Sequence, residues 1–380
     1  MNSSTSLWPC ALRRLCALAL LLPLAFSLQA QELDLSTFEA LEARAIGPAG
    51  MSGRVTAIDA IDANPDVIYA GTASGGLWLS ESGGIDWRPI FDDQDVASIG
   101  AIAIYQKNPD VIYVGTGEGN PRNSQTNGNG MYKSLDGGRT WMHLGLDDSR
   151  NIHRVIVHPE NPDVVYVGAQ GPAWGETEER GVFKSTDGGQ TWEKILYVNE
   201  KTGIADLVMD PQNPNKLIAA MWEFRRKPWT FTSGGEGSGL YVTHDGGATW
   251  TERTAQDGLP GGELGRMGLA IAPSNPDVVY ALVEAKKENA LYRSDDGGAT
   301  FRKTKNEGNV GNRPFYYAEI HVDTQNENRL YSLHTIVTFS EDGGDSFETF
   351  IPYRSVHPDH HAWYQHPDNA DLLINGNDGG

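Results

Sequence analysis

The sequence predicts an all-β fold: a β-propeller of four-stranded blades, with about seven blades visible and the last incomplete. Three observations carry this. The pattern Ser-x-Asp-Gly-Gly-x-Thr-Trp recurs, at Ser134–Trp141, Ser185–Trp192, Thr243–Trp250, Ser294–Phe301 and Ser340–Phe347, with a worn copy at Ser80–Trp87. A second pattern, Asn-Pro-Asp-Val-Ile-Tyr, precedes each copy, starting at Asn64, Asn108, Asn161, Asn213 and Asn275 and degrading at Asn326 and Asn369. From Asn64 to Asn326 five intervals cover 262 residues, a period of about 52. Two motifs in fixed order at a common spacing are the signature of a repeat architecture.

Each unit reads as strands A to D. An apolar run such as Ala101–Ile104 or Val155–Val157 forms strand A. Asn-Pro-Asp turns the chain, since Pro presets φ and Asn and Asp bond locally. Val-Ile-Tyr forms strand B. Met131–Ser134 is a typical strand C, ending at an Asp-Gly-Gly hairpin whose glycines accept positive φ. Thr-Trp opens strand D. No long helical period interrupts the series. Four-stranded units of this length, repeated, stack as blades about an axis.

Residues 1–30 read as a removed secretory signal peptide: Arg13 and Arg14, then the apolar run Leu15–Phe26, then Leu28-Gln29-Ala30. Residues 31–48 are a lead-in and 49–380 the propeller, which stops mid-blade at Asp378-Gly379-Gly380 and so reads as truncated in the seventh blade. On that reading the ring cannot close and a strand edge stays exposed. Cys10 and Cys16 both lie in the leader, leaving no thiol and no disulfide beyond it. The expected location is periplasmic or secreted. The formal net charge is −20, with 50 Asp and Glu against 30 Lys and Arg. That argues against nucleic acid and anionic membrane surfaces as partners. No apolar run approaches the ~20 residues of a membrane-spanning helix. A monomer without a cofactor is expected, with a peptide, protein or polysaccharide ligand.

In an up-and-down meander the A–B and C–D turns share one face, and the B–C loops and strand-A starts share the other. The short regular turns occupy the first face. The B–C loops are irregular: Thr116–Gly130 in blade two, Gln170–Trp174 in blade three and Met221–Trp229 in blade four. Function concentrates where loops vary on a rigid scaffold, so the second face is the expected working face. Trp174, Trp222 and Trp229 there suit stacking on a sugar or clamping a peptide. Strand-A starts, aligned by counting back from each turn Asn, bring Arg54, Arg154, Arg266 and Tyr317 to the channel mouth as ligand-binding candidates. Glu118, Asp206 and Glu319 are the carboxylates available for catalysis there. Along one strand face, His357, Asp359 and His361 at i, i+2 and i+4 could ligate a metal ion.

The Ser-x-Asp-x-Gly-x-Thr-Trp repeats resemble the Asp-box, or BNR repeat, of sialidases, xyloglucanases and the sortilin propeller. From Ile46-Gly47-Pro48 and Met51–Arg54 to Gly376–Gly380 the chain is similar to bacterial sortilin-like BNR proteins, which often carry a glycosyl-hydrolase label. The resemblance implies either a non-enzymatic binding scaffold or a glycoside hydrolase. Xyloglucanases place one acid in an Asp-Ile-Gly-Gly turn of the first blade; the matching turn is Ala73-Ser74-Gly75-Gly76, without the acid. Sialidases hold a carboxylate with three arginines, for which Arg54, Arg154 and Arg266 are the candidates, but the Arg-Ile-Pro motif is missing. The box Asp and Trp are expected to be structural.

Overall fold

The computed structural model describes residues 53–380, apart from Ser124, Lys287, Glu288 and Asn309. The predicted leader and lead-in lie outside the described residues. The first blade is an antiparallel sheet in sequence order, with strands A Val55–Ile61, B Asn64–Thr72, C Leu77–Ser80 and D Arg88–Pro89. Five more blades follow this plan, with strands A at Ile99–Ile104, Ile152–His158, Thr202–Met209, Leu264–Ile271 and Glu319–Val322. The fourth carries an extra strand, Thr230–Ser233, hairpinned onto the end of a long strand B, Leu217–Lys227. A seventh sheet has two strands, His360–Gln365 and Leu373–Asn377. Thus six four-stranded blades and one two-stranded sector surround the axis.

The expected opening at the seventh unit is not present. Tyr364 donates to Asp62 of blade one at 2.8 Å, and the His366 ring sits 2.8 Å from the Asp62 carbonyl oxygen. On the other side the Trp363 ring packs 4.9 Å from that of Tyr331 in blade six. Closure depends on the rows nearest the axis, and those rows are all in place. A smaller difference concerns the first turn. In blades one and three the Asn-Pro-Asp segment begins strand B instead of forming the turn, since Ile61 pairs with Asn64 and His158 with Asn161.

The core lies between blades. Strand B is buried on both faces, as in Tyr113, Val114, Val165 and Val167. Burial on both faces removes the alternation of a half-exposed strand. The tyrosine that ends Val-Ile-Tyr reaches the next blade with its hydroxyl: Tyr69 to the Gly137 carbonyl, Tyr113 to Pro162, Tyr166 to Gly246 and Tyr280 to Glu327. Blade four has Ile218 at this position, and Lys216 reaches Pro276 instead. Each link gives a buried tyrosine hydroxyl or lysine ammonium a backbone acceptor at the joint; the Gly246 carbonyl also accepts Lys184.

The repeated hairpin is self-contained. In blade three Ser185 accepts from the Gly189 amide at 2.8 Å, and Asp187 accepts from the Thr191 amide at 2.9 Å and from its hydroxyl at 2.6 Å. Gly188 and Gly189 take φ of 75° and 92°, open to glycine at no steric cost. Trp192 then donates to the Leu144 carbonyl of blade two at 2.9 Å, and Trp141 likewise to Ile90 of blade one at 2.7 Å. In blades two and three the box is thus a turn with a strap to the preceding blade, whereas Trp87 bonds the Gly84 carbonyl of its own hairpin and Trp250 Nε1 has no partner among the described residues. Trp192→Ala should destabilise the fold by about 3 kcal/mol, the low end for removing a large aromatic because the ring is partly exposed; urea unfolding checks this. The Thr hydroxyl and amide hold Asp136, Asp187 and Asp245 down to about 2, below the ordinary 3.8. A lowered folded-state value stabilises above the unfolded value and loses that contribution as pH falls through about 2. The urea midpoint lost on Asp187→Asn should therefore persist from neutral pH down to about pH 4 and vanish near pH 2.

Candidate functional site

A recurrent β-bulge decides which strand-A residues face the axis. The register slips between Ile99 and Ala101, Ile152 and Arg154, Ile204 and Asp206, and His360 and Ala362. The extra residue bends the strand and re-aims its neighbours. Simple alternation would turn His153 and Arg154 to opposite sides; with the bulge both line the channel. This end of the channel is a cavity of about 230 Å³, also lined by Asp206, Glu319, His321 and His361.

The carboxylates and arginines expected at the mouth do converge, and they consume one another. Arg154 donates to Asp206 at 2.6 Å from Nε and to Glu319 at 2.6 Å from Nη2. Asp206 also accepts the Leu269 amide of blade five at 2.7 Å. Arg266, 1% exposed, lies 3.7 Å from Glu319 and donates to the Tyr316 carbonyl and to Asn120. Burial pushes His153 down to about 3, helped by Arg154, so the ring is neutral; Arg266 Nη2 is 3.0 Å from its Nε2. Burial pushes Arg266 down to about 10. Burial also raises Asp206, whereas at Glu319 it is outweighed by Arg154, His153 and Arg266, which hold that carboxyl well below the usual range.

Above this cluster the blade-two loop crosses the mouth as a plug. Glu118, fully buried, accepts Arg54 of blade one at 2.9 and 2.5 Å. Its carbonyl accepts Asn151, and the Gly119 carbonyl accepts Gln170, both beside blade three at 2.8 Å. Asn120 meets Arg266 of blade five at 3.2 Å and His361 of the seventh sheet at 3.2 Å. The Pro121 carbonyl accepts Arg226 of the blade-four hairpin at 2.7 Å. Arg122 donates to Tyr316, ahead of blade six, at 3.2 Å and to Asp378 at 3.0 Å. Five consecutive residues therefore bond to groups in or next to all six other sheets. Gly119 is obligatory: a Cβ there would lie 1.9 Å from His153 Nδ1. Asn120, Arg122, Asp378 and Tyr316 were not among the expected site residues. The run Gly117-Glu118-Gly119-Asn120 was the available signal, because glycines on both sides of a polar residue permit close backbone approach.

Other expectations need correction. Trp222 is not a stacking surface. It is fully buried, stacked on Phe224 at 4.3 Å, and carries the Arg266 guanidinium 5.4 Å above its ring. Segment 221–229 is a strand and hairpin, not an irregular loop. Tyr317 is buried against Tyr316 and His361, with ring centroids 4.5 and 5.5 Å away. His357, Asp359 and His361 do not converge: the His357 ring turns back on the Pro358 carbonyl oxygen, Asp359 has φ of 68°, and His361 meets Asp378 at 2.9 Å. Among the described residues no group of three or more His, Cys, Asp or Glu side chains is placed to hold a metal ion. Trp229, 80% exposed at the tip of the blade-four hairpin, and Trp174, 39% exposed, do stand at the surface. The Arg226 amide bonds the Ala173 carbonyl, so the hairpin runs beside the Trp174 loop. Arg225 forms no ion pair among the described residues. Nor does any described helix have the length and apolarity to cross a membrane.

Residues 129–259 match the family described as sortilin, neurotensin receptor 3. The chain is 27% identical over 245 residues to a xyloglucanase from a Paenibacillus species, covering 58% of this chain and 22% of that protein. It is 25% identical over 211 residues to a probable oligoxyloglucan-reducing end-specific xyloglucanase from Neosartorya fischeri, covering 46% and 24%. The chain thus spans about a quarter of the curated relatives it matches. Its fold matches the GH74 xyloglucanase from Xanthomonas campestris, with a TM-score of 0.63, 19% identity, 89% of this chain and 52% of that one. It also matches YCF48 bound to D1 peptide, with a TM-score of 0.57, 14% identity, 89% and 96%. The chain is a propeller that is sortilin-like over residues 129–259 and similar to xyloglucanases over up to 58% of its length. Gly119→Ala should lower the midpoint of thermal unfolding by more than 5 °C, as expected for a methyl driven into a fixed ring; calorimetry checks this against Gly261→Ala, where φ is not positive and the added Cβ meets only the Ala255 Cβ, at 3.8 Å.

Proposed function

We propose that this chain is an exported, monomeric binding propeller that captures a peptide or protein segment on its loop face. One observation carries the reading: the three carboxylates available for hydrolysis are buried, Glu118 within the plug and Asp206 and Glu319 beneath it, and all are committed to arginine. Glu118 holds Arg54, while Asp206 and Glu319 share Arg154. A glycoside hydrolase needs a protonated acid and a free carboxylate flanking an open sugar site. What the loop face offers instead is apolar area at Trp174 and Trp229 beside Arg225, Arg226 and Lys227, in a chain of formal net charge −20. Aromatic and arginine anchors are the usual energetic centres of a binding surface.

The second reading, glycoside hydrolysis, is favoured by one feature besides kinship. Asp206 and Glu319 are displaced in opposite directions from their ordinary values, the split that acid–base pairs use. Fold alone does not choose, since related propellers serve unrelated tasks. The decisive experiment offers peptide and glycan arrays, and separately xyloglucan with a reducing-end assay, to the full chain. Peptide binding is expected, reduced at least tenfold by Trp229→Ala with the unfolding midpoint unchanged, and no reducing ends should appear. Glycan-only binding would move the ligand to polysaccharide. Xyloglucan cleavage lost in Glu319→Gln would establish the hydrolase. The export reading is checked by N-terminal sequencing of protein recovered outside the cytoplasm, expected to begin near residue 31.

A further inference from the structure

Beneath the plug the channel widens toward the A–B turns into a second cavity of about 570 Å³, within the range of small-molecule sites. It lies at the opposite end from the loop face. Ile58, Ile102, Val155, Val208, Leu269 and Ile320 form a collar around it, closed by the Trp363 ring. The channel walls are therefore largely aliphatic.

The charges on these walls do not balance. Asp206 and Glu319 are taken by Arg154, with Arg266 also 3.7 Å from Glu319, which leaves Asp59 without a cation. Asp59 accepts the Ala60 and Ile104 amides, each at 2.9 Å, and has no cation among the described residues. The charge that acts on it, Asp62, is acidic and is engaged by Tyr364. A carboxylate on an apolar wall without a counterion is costly to ionise; burial pushes Asp59 up to about 7. Trp363 Nε1 and His321 Nε2, on the same walls, lack partners. A ligand that suits these walls brings one positive charge on an aliphatic stem.

We propose that the channel is a binding site for a small primary alkylamine, its ammonium on Asp59 and its stem along the Ile58–Ile102–Ile320 collar. An alkanoate has the stem but is repelled by Asp59. Ammonium ion has the charge but cannot cover the collar. An alcohol has the stem and leaves the carboxylate without a counterion.

The test uses n-hexylamine with the full chain, read by calorimetric titration, with hexanoate, hexanol and ammonium chloride as controls at equal ionic strength. Saturable binding of one hexylamine per chain is expected, at least tenfold tighter than hexanol, and none of hexanoate or ammonium. Asp59→Asn should weaken hexylamine at least tenfold. Should that variant not fold, Ile58→Lys serves as the second, because it places the chain's own ammonium beside Asp59 and should abolish binding. No hexylamine binding, equal binding of hexanol, or hexylamine binding that survives the variants would each overturn the proposal. Because the loop-face ligand is read with Trp229→Ala, failure of either proposal leaves the other testable.

Discussion

Seven inner strands set around one axis leave a hole wider than their own side chains can fill, and the rest of the molecule answers to that hole. Below, the answer is largely aliphatic, with one isoleucine, valine or leucine from each of six strands and Trp363 from the seventh. Above, it is ionic. Bulges turn His153, Arg154, Asp206 and His361 inward, and the Glu118–Arg122 segment lies across them. A buried ion pair is a weak source of net stability, because desolvation offsets the attraction. Its value here is geometric: Arg154 fastens blade three to blades four and six at once, and the Asp206 carboxylate fastens blade four to blade five. The polar mouth thus sets how the blades stand relative to one another.

The architecture was legible in the sequence because it is repeated. Two motifs at a constant interval fix the number of sheets, their order and their hairpins, and counting back from each turn Asn aligned the inner strands correctly. Arg54, Arg154, Asp206, Arg266 and Glu319 were found that way, and they do gather at one place. The same counting could not say that Arg154 spans Asp206 and Glu319, nor that Arg54 and Arg266 engage Glu118 and Asn120 of the plug, which occurs once. Repeat logic carries no information about a unique segment. It also treated Trp222 like Trp174 and Trp229. Only the hairpin that continues strand B buries Trp222 behind Arg266 and leaves Trp229 at the tip.

Ring closure is the other difference, and its cause is plain. The expectation counted strands, whereas the joints are made by what touches near the axis. Tyr364 and His366 on Asp62, and Trp363 on Tyr331, involve the inner two rows alone. The outer rows add straps such as Trp192 on Leu144. These strengthen particular joints without deciding whether a circle exists.

The plug also bears on how the chain comes to be folded. Each blade is assembled from residues within about one repeat of each other, so sheets can form locally and in series. The contacts of the plug are of another kind: Asn120 meets His361 across 241 residues and Arg122 meets Asp378 across 256. Closing loops of that length is entropically slow and is compensated only when both ends already stand in place. The mouth therefore orders only after the sheets it bridges stand in place. Until it does, Glu118, Arg154 and Arg266 remain solvated, so the charged cluster records that the circuit of sheets is complete.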